Sequence, residues 1–300
     1  MHPTALSVPT TPGRSQKAVF GFVRRWQERL GRYRQTIDDL TVDIADPHRI
    51  SIAERTALAT RIRHTNMAIY RCEHPGEAGP DALLALATQL GLGRPERNLC
   101  ADDYGLSRIQ VEEGSPHQRY IPYTSRRLNW HTDGYYHTAD RIIRTMLLHC
   151  VRPALQGGAL EAIDHEIVYG LLLGQDPRLV EALSQPDAMT IPENNPGGST
   201  HRAECQGPVF FWDAGVLRMR YTARKHNVTW KHDTLTREGA AALEEILNGS
   251  GDLIVRRRLR SGEGLVCANV PHRREAFSDS EHSEQTRLVY RGRYTKAQAV

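Results

Sequence analysis

The chain contains 300 residues, of which 39% are hydrophobic, so it can bury a large core as two ordinary domains or as one large all-β or barrel domain. Its formal net charge of +4 is a mild basic excess, and the densest run, residues 256–260, lacks interleaved aromatics and resembles a solvated strand face, which disfavours a nucleic-acid partner. No stretch approaches the roughly 18 uninterrupted apolar residues that span a bilayer, and the five cysteines lack a C-x-x-C pair, so we expect a reduced, cytoplasmic protein without a membrane partner.

The first third of the chain is predicted to be helical. Residues 1–16 are rich in proline, threonine and serine and are predicted to form a mobile tail. From residue 19 to 40 apolar side chains recur at three- and four-residue steps, which predicts an amphipathic helix broken near Gly31. A second helix is predicted over residues 51–63, a short buried strand over 67–70, and a third helix between Pro80 and Gly91. Residues 17–104 are thus the helical part of a single domain covering 17–300.

The character of the sequence changes after residue 108. Short segments rich in β-branched and apolar residues follow one another, mostly separated by glycine, proline, aspartate or serine. Two helices interrupt them, one over residues 164–173 with Asp164 as its N-cap and one over 236–247. This pattern over about residues 105–294 favours a mainly β protein with flanking helices and a jelly-roll, cupin-like core. The predicted strands are 109–113, 141–151, 159–163, 209–212, 216–221, 253–259, 265–269 and 287–294.

The string N-W-H-T-D-G at residues 129–134 offers two metal ligands. On a strand His131 and Asp133 project to the same face, so an imidazole and a carboxylate can reach one metal ion. Such a triplet is weak evidence alone, but His272 supplies a third candidate near the C-terminus. Two histidines and one carboxylate on one face of an octahedral Fe(II) leave three cis positions for a 2-oxo acid and dioxygen. Zinc would favour a tetrahedral set with thiolates, which these strings do not offer.

A pair of arginines follows the third ligand. Arg287 and Arg291 are four residues apart, so both guanidiniums lie on one side of a predicted strand. One can bind a distal carboxylate in a bidentate manner, and the other can approach the metal-bound end of the same molecule. The alternative for the pair alone is a strand with an exposed basic face.

These motifs resemble those of the taurine dioxygenase-like (clavaminate synthase-like) Fe(II)/2-oxoglutarate-dependent oxygenases. The resemblance covers about residues 105–294 and follows the family's order: the W-H-T-D string, the stretch ending in Gly157-Gly158, an H-x-R-x-A-F string at His272, and the R-x-x-x-R pair. It implies a double-stranded β-helix core, iron bound by His131, Asp133 and His272, and 2-oxoglutarate bound by Arg287 and Arg291. It also implies hydroxylation of a C–H bond in a small polar or anionic molecule, with dioxygen consumed and succinate and CO2 formed.

Two features refine what the resemblance implies. The family often has a threonine shortly after the glycine pair that helps to hold the distal carboxylate, whereas this chain has Ala159 and Leu160. Arg287 is therefore expected to hold that carboxylate alone or with Thr145. The intact Asp133 argues against the related halogenases, which need a small residue there so that chloride can bind iron.

Five residues are candidates for contacts with the primary substrate. Tyr135 and Tyr136 follow the metal string, where the mouth of a jelly roll is built, and Asn129 opens the same string. Arg220 and Arg274 lie on predicted strands beside the site and could orient an anion, Arg274 having the stronger claim because it lies two residues beyond the last ligand. Tyrosines also pack in cores and strand arginines are often solvated, so structural roles stay open for all five.

The rival interpretation is a cupin-like metal-binding protein or a metal-dependent hydrolase on the same barrel. Neither has a use for a dicarboxylate clamp beside the metal, so Arg287 and Arg291 favour the oxygenase. The expected partner is a small molecule, and assembly into a homo-oligomer is compatible with the sequence. The identity of the substrate is not predicted by these motifs.

Overall fold

The structure is a computed structural model that describes residues 16–77, 79–98, 100–194, 202–224, 226, 228–279 and 286–297. The predicted N-terminal tail lies outside these residues except for Gln16. No helix within the described ranges is long and apolar enough to cross a membrane.

The helices occur mainly in the first third and in the middle of the chain. The helix that begins the described chain runs unbroken through Gly31, so the prediction of a break there was wrong. Tyr33 is fully buried and donates its hydroxyl to the Leu253 carbonyl at 2.7 Å, and such packing outweighs the roughly 1 kcal/mol that a helical glycine costs. The described residues form α1 (Gln16–Ile37), α2 (Ile52–Thr65), α3 (Pro80–Gln89), α4 (His165–Gln175), α5 (Pro177–Leu183), which was not predicted, and α6 (Thr234–Gly249).

Capping residues fix where two of these helices begin. Ser51 and Glu54 form a capping box at the start of α2. Asp164 caps α4 as predicted, since its carboxylate accepts a hydrogen bond from the Glu166 amide at 2.8 Å. The same carboxylate forms an ion pair with Arg29 of α1 at 2.6 Å, which ties the first helix to the start of α4.

Short strands occur throughout the rest of the described chain. Nine of the 17 strands in the described residues overlap a predicted strand, and their ends lie within four residues of the predicted bounds. The strands are β1 (Thr41–Ile44), β2 (Met67–Cys72), β3 (Ser107–Ile109), β4 (Leu128–His131), β5 (Thr145–Arg152), β6 (Gln156–Gly157), β7 (Leu160–Ala162), β8 (Met189–Ile191), β9 (Cys205–Gly207), β10 (Phe210–Asp213), β11 (Val216–Met219), β12 (Thr229–Trp230), β13 (Val255–Arg257), β14 (Glu263–Cys267), β15 (His272–Arg274), β16 (Phe277–Ser278) and β17 (Leu288–Tyr294).

Two sheets position the functional site. The major sheet has the strand order β1-β2-β14-β5-β17-β3, and the minor sheet has the order β13-β7-β15-β4. All their pairings are antiparallel except β1 with β2. The chain passes from β14 of the major sheet to β15 of the minor sheet within four residues, 268–271, so the two sheets are joined directly beside His272.

The period-two alternation of strand side chains separates an inner from an outer face of the major sheet. On β5, Met146 and Cys150 belong to a buried cluster that also contains Leu160 and Ala162 of the minor sheet, so the inner faces of the two sheets pack on each other. Leu147 on the opposite face packs instead with the buried side chains of α2 and α3. The helices α4, α5 and α6 form a third cluster around residues such as Trp130 and Phe210. The site residues therefore lie between two sheets that are supported from outside by helices.

Candidate active site

The three predicted metal ligands lie together at one end of the minor sheet. His131 is the last residue of β4 and His272 the first of β15, and the two are direct partners across the antiparallel pair. Their ring centroids are 4.3 Å apart. One ligand atom from each of His131, Asp133 and His272 lies within 4.8 Å of the others, and all three residues are buried. The cluster can therefore hold a single metal ion.

Asp133 lies just beyond the end of β4, where a turn begins. The predicted strand was too long, because β4 ends at His131, but the side chains of His131 and Asp133 still reach the same cluster. The chain turns at Gly134, which has a φ of 66° and where a Cβ atom would lie 2.6 Å from Cγ1 of Ile143. Only glycine fits both that backbone conformation and that space. The glycine of the string is thus part of what places the carboxylate.

The two histidine rings are oriented by backbone carbonyls. Nδ1 of His131 lies 2.9 Å from the Asn129 carbonyl, and Nδ1 of His272 lies 3.0 Å from the Val270 carbonyl. A ring nitrogen facing a carbonyl must carry the proton, so each Nε2 keeps a free lone pair. Burial lowers the pKa of His131 to about 3 and also lowers the pKa of His272. Both imidazoles are therefore neutral, the form that binds metal.

Asn269 holds the backbone of Asp133 on both sides. Its side-chain oxygen accepts a hydrogen bond from the Asp133 amide at 2.8 Å, and its side-chain nitrogen donates to the Asp133 carbonyl at 2.9 Å. The same nitrogen donates to the Ile143 carbonyl at 2.8 Å. Asn269 has a φ of 51°, a left-handed conformation that asparagine tolerates better than most residues. These bonds fix the carboxylate ligand relative to the strand that carries His272.

The carboxylate of Asp133 is ionised and has one oxygen to spare. Arg291 donates to Oδ1 at 2.9 Å. Burial acts to raise the pKa of Asp133, but the positive charge of Arg291 beside it outweighs burial, and the pKa falls to about 2. Oδ2 is buried and has no hydrogen-bond partner among the described residues. A buried anionic oxygen without a partner is costly unless a ligand compensates it.

The donor set fits ferrous iron. Two neutral imidazoles and one carboxylate form the facial set that leaves three cis positions open at an octahedral metal. None of the five cysteines belongs to the cluster, so within the described residues it lacks the thiolates typical of structural zinc.

A second group of potential ligands, Asp164, His165 and Glu166, does not need a metal ion. The guanidinium of Arg29 lies 2.6 Å from the Asp164 carboxylate and 3.0 Å from the Glu166 carboxylate. The positive charge that these buried carboxylates require is therefore already supplied by the protein. Their role is to anchor α1 against α4.

A narrow cavity of about 60 Å³ leads from the metal ligands into the space between the sheets. His131, His272, Arg287 and Arg291 all line it. The guanidinium of Arg287 lies 5.1 Å from the ring centroid of Phe277 and forms no ion pair with a described carboxylate. The walls are mainly apolar and include Ile109, Leu148, Leu160 and Val289. This lining suits a dicarboxylate with a short methylene chain. Its carboxylates could meet the candidate metal ligands and Arg287, and its methylene groups could pack on the apolar walls.

The glycine pair of the sequence motif lines the same cavity. A Cβ atom on Gly157 would lie 2.4 Å from the Ala276 carbonyl oxygen, and Gly157 pairs directly with Phe277. Gly158 donates its amide to the same carbonyl at 3.1 Å, and both glycines have a φ near +70°. The close approach allows this turn to pack against Phe277, on which the guanidinium of Arg287 lies.

Thr145 and Arg274 are not placed as the sequence suggested. The hydroxyl of Thr145 donates to the Lys296 carbonyl at 2.9 Å, and Thr145 does not line either cavity beside the metal ligands. Arg274 lines the narrow cavity, and its guanidinium donates to the carbonyls of Pro122, Thr124 and Arg126. Arg274 therefore braces the segment 122–126 and not a substrate.

A wider cavity of about 620 Å³ meets the narrow one at the metal ligands. Both cavities are lined by His131 and Arg291, and Asp133 lines the wider one. Asn129, Tyr135 and Tyr136 line this wider cavity, where the sequence placed the substrate. The two tyrosine rings meet edge to face with centroids 5.2 Å apart. Its volume is typical of a pocket for a small molecule.

Arg220 was predicted to bind the substrate, and this prediction was wrong. Its guanidinium is buried and donates to four backbone carbonyls at 2.6–3.1 Å, those of Tyr135, Met189, Cys205 and Gly207. Nearly all of its donors are used, so it joins the turn after the metal string to β8 and β9. A buried arginine satisfied by carbonyls stabilises the wall of the cavity without facing a ligand.

Several residues of the wider cavity were not among the predicted site residues. Arg293 donates to the Tyr136 hydroxyl at 2.8 Å and forms an ion pair with Glu96 at 2.5 Å, which fixes the tyrosine. Arg293 lies two residues beyond Arg291 on the same face of the predicted strand, so the alternation of side chains along that strand could have identified it. Glu96 and Arg202 lie outside helices and strands, and neither belongs to a local pattern that marks it.

Comparisons with known proteins agree with this arrangement. A family model described as taurine catabolism dioxygenase TauD, TfdA family matches residues 29–292. A uridine-5'-phosphate dioxygenase from an Amycolatopsis species is 28% identical over 281 residues, which cover 87% of this chain and 98% of that protein. A uridine-5'-phosphate dioxygenase from a Streptomyces species is 27% identical over 227 residues, covering 72% and 79%.

Solved structures confirm the predicted fold. An asparagine oxygenase in complex with Fe(II), 2S,3S-3-hydroxyasparagine and succinate is 18% identical, with a TM-score of 0.60 over 90% of this chain and 91% of that chain. The non-heme iron oxygenase OrfP in complex with Fe and alpha-ketoglutaric acid is 17% identical, with a TM-score of 0.61 over 83% and 81%. Both are similar to this chain along most of its length, so the jelly-roll prediction is confirmed.

Proposed function

This chain belongs to the taurine catabolism dioxygenase (TauD, TfdA) family, and we propose that it oxidises a C–H bond of a nucleoside 5'-monophosphate, with uridine 5'-phosphate as the first candidate. It is an Fe(II)- and 2-oxoglutarate-dependent dioxygenase of a small polar molecule. The proposal adds the class of that molecule and the residues that act on it.

The observation that carries the proposal is the meeting of two cavities at one metal-ligand cluster. His131, Asp133 and His272 would hold Fe(II), and the narrow cavity beside them would hold 2-oxoglutarate. Bound iron supplies the activation of dioxygen, with electrons from the oxidative decarboxylation of 2-oxoglutarate to succinate and CO2. The wider cavity opens on the same ligands, so a substrate there would lie beside the reacting centre.

The residues of the narrow cavity have separable roles. Arg287 would bind the distal carboxylate of 2-oxoglutarate, since it is a cation without a carboxylate partner among the described residues. Arg291 would orient Asp133 through its 2.9 Å contact and approach the metal-bound end of the co-substrate. The apolar walls would exclude water from the methylene chain.

Features of the wider cavity support a phosphorylated aromatic substrate. Tyr135 and Tyr136 offer ring faces or edges to a nucleobase. Arginines are the commonest charged residues lining the cavity and suit a phosphate. The two curated relatives that carry a substrate in their names are both dioxygenases of uridine 5'-phosphate.

The alternatives of a metal-storage protein or a hydrolase do not use the narrow cavity. Neither metal storage nor hydrolysis requires a second cavity lined by an arginine beside the metal ligands. The narrow cavity, which Arg287 lines, therefore favours the oxygenase.

We expect uridine 5'-phosphate to stimulate succinate formation by the purified protein with Fe(II), 2-oxoglutarate and air by about tenfold or more over the substrate-free rate. Oxygenases of this kind couple co-substrate decarboxylation to the presence of a bound substrate, because the substrate completes the site. Uridine is the matched control, since it keeps the base and the sugar but lacks the phosphate, and it should stimulate much less.

Equal stimulation by uridine and its phosphate would remove the phosphate from the proposal. No stimulation by any nucleoside monophosphate, together with stimulation by another small anion, would contradict the nucleotide assignment while leaving the dioxygenase activity in place.

A further inference from the structure

We propose that Arg202 and Arg224 together form the site that binds the phosphate of the substrate in the wider cavity. The inference rests on the proposed function for the identity of the substrate, but each of the two arginines is selected by its place in the wider cavity and by its charge. Arg220 and Arg274 were predicted from the sequence to bind an anion, but they donate to backbone carbonyls instead.

Arg202 presents a donor that nothing in the described protein satisfies. It lines the wider cavity, and its position is fixed by a bridge to Asn194 and by a 3.0 Å hydrogen bond from Nη2 to the Pro192 carbonyl. The guanidinium carbon lies 5.3 Å from the ring centroid of Tyr136. Nη1 is buried and has no hydrogen-bond partner among the described residues. A buried guanidinium nitrogen without an acceptor calls for one from a ligand.

Arg224 is placed next to the metal ligands by strand register. His131 forms a bridge with Thr222, the Ala223 amide donates to the Trp130 carbonyl at 2.8 Å, and the Thr132 amide donates to the Tyr221 carbonyl at 2.9 Å. The same antiparallel register sets Arg224 opposite Asn129. Arg224 thus lies two residues from the partner of His131, roughly 7 Å along the strand, and on the same side.

The environment of Arg224 leaves its charge available. It is half-buried and lines the wider cavity together with Asn129. Within the described ranges its guanidinium forms no ion pair with a carboxylate and no hydrogen bond. An anion bound there would sit beside the metal ligands without binding the metal itself.

The other arginines of the cavity are less suited to the same task. Arg141 and Arg293 both pair with the single carboxylate of Glu96, at 2.9 Å and 2.5 Å, and Arg291 is paired with Asp133. Arg97 is exposed and donates to the Asp103 carbonyl at 2.8 Å. Among the described arginines that line the cavity and are at least half-buried, Arg202 and Arg224 are the two without a carboxylate partner.

The chemistry of this pair favours a phosphate monoester. Each guanidinium offers several donors in a fixed plane, and a phosphate offers three oxygens that can accept from two directions at once. The charge of such a phosphate at neutral pH lies between −1.5 and −2, as for phosphorylated side chains, which two arginines would balance. The carboxylate of Glu204 is exposed at the rim of the cavity and leaves this balance unchanged within it.

The test compares Arg202→Ala, Arg224→Ala and the double variant with the wild type and with Arg97→Ala, a control that removes a rim cation of the same cavity. We expect each single variant to raise the KM for uridine 5'-phosphate by about tenfold or more, as for the loss of a charge-assisted hydrogen bond, and the KM for 2-oxoglutarate to stay unchanged. Arg97→Ala should behave like the wild type. Arg202→Lys and Arg224→Lys should recover part of the affinity, which a folding defect would not allow.

Calorimetric titration with inorganic phosphate separates this proposal from the proposed function. If uridine 5'-phosphate is not turned over, phosphate should still bind the wild type and Arg97→Ala and should fail to bind the double variant, which would support the anion site while the nucleotide assignment falls. Two results would overturn the anion site. One is that phosphate and nucleotide bind the double variant as tightly as the wild type, and the other is that they bind none of the proteins.

Discussion

Replacing His272 by alanine should abolish Fe(II) binding and succinate formation while leaving the fold intact. The variant removes one of three protein ligands, so the loss should exceed the roughly 10- to 100-fold that changes in the surroundings of a metal site cause. The side chain is neutral and buried, so its removal leaves no uncompensated charge. Metal analysis after gel filtration measures iron per chain, and succinate formation measures turnover.

The matched control is His165→Ala. His165 is equally buried, and its Nε2 donates to the Leu217 carbonyl at 2.9 Å, but it lines neither cavity. This variant should lower the melting temperature without changing the iron content per folded chain. Iron content and turnover near the wild-type values in His272→Ala would refute the assignment of the metal site.

Replacing Arg287 by lysine should raise the KM for 2-oxoglutarate by about 10- to 150-fold, which corresponds to the roughly 1.5–3 kcal/mol of a charge-assisted hydrogen bond. An ammonium keeps the charge but cannot reproduce the planar, bidentate contact of a guanidinium with a carboxylate. Among the described residues, every other arginine that lines the narrow cavity has a carbonyl or carboxylate partner. Steady-state kinetics with varied 2-oxoglutarate measures the effect.

Arg258→Lys is the control for this variant. Arg258 lines the same cavity, but it is exposed and donates to the carbonyls of Ala154 and Leu155. It should leave the KM for 2-oxoglutarate within a factor of about two, the effect of an ordinary surface change. An unchanged KM in Arg287→Lys would move the carboxylate clamp to another residue, with Arg274 as the next cation on the cavity wall.

The candidate metal ligands and the arginine pair could be identified from the sequence because short motifs carry them. His131 and Asp133 are two residues apart, Arg287 and Arg291 are four apart, and such spacings survive errors in strand bounds. The strand predicted to carry both members of the first pair ends at His131, so Asp133 lies just beyond it, before a turn with Gly134 at positive φ. The motif was informative although its geometry could not be derived from strand periodicity.

The residues of the wider cavity were harder to predict because their roles depend on contacts far apart in the chain. Arg220 has the charge expected of an anion-binding residue, but its guanidinium donates to four carbonyls from three separate segments. Thr145 lies on the right strand, yet its hydroxyl is taken by Lys296. Arg202 lies in a segment without any periodic pattern, so only the folded chain reveals its unsatisfied nitrogen.

Strand and helix bounds show the same dependence on tertiary structure. The run of apolar and β-branched residues placed the strand that carries Arg291 within one residue, because both faces of β17 are buried. The break expected at Gly31 did not occur, because the burial of Tyr33 holds the helix together across the weak residue. Local propensity gives way where packing on both sides of a residue is strong.

The most direct measurement of the central claim is a crystal structure of the protein grown without oxygen in the presence of Fe(II) and 2-oxoglutarate. It should contain one metal ion bound by His131, Asp133 and His272, with 2-oxoglutarate chelating the metal and its distal carboxylate on Arg287. A metal ion bound elsewhere, or 2-oxoglutarate bound in the wider cavity with Arg287 free, would contradict it.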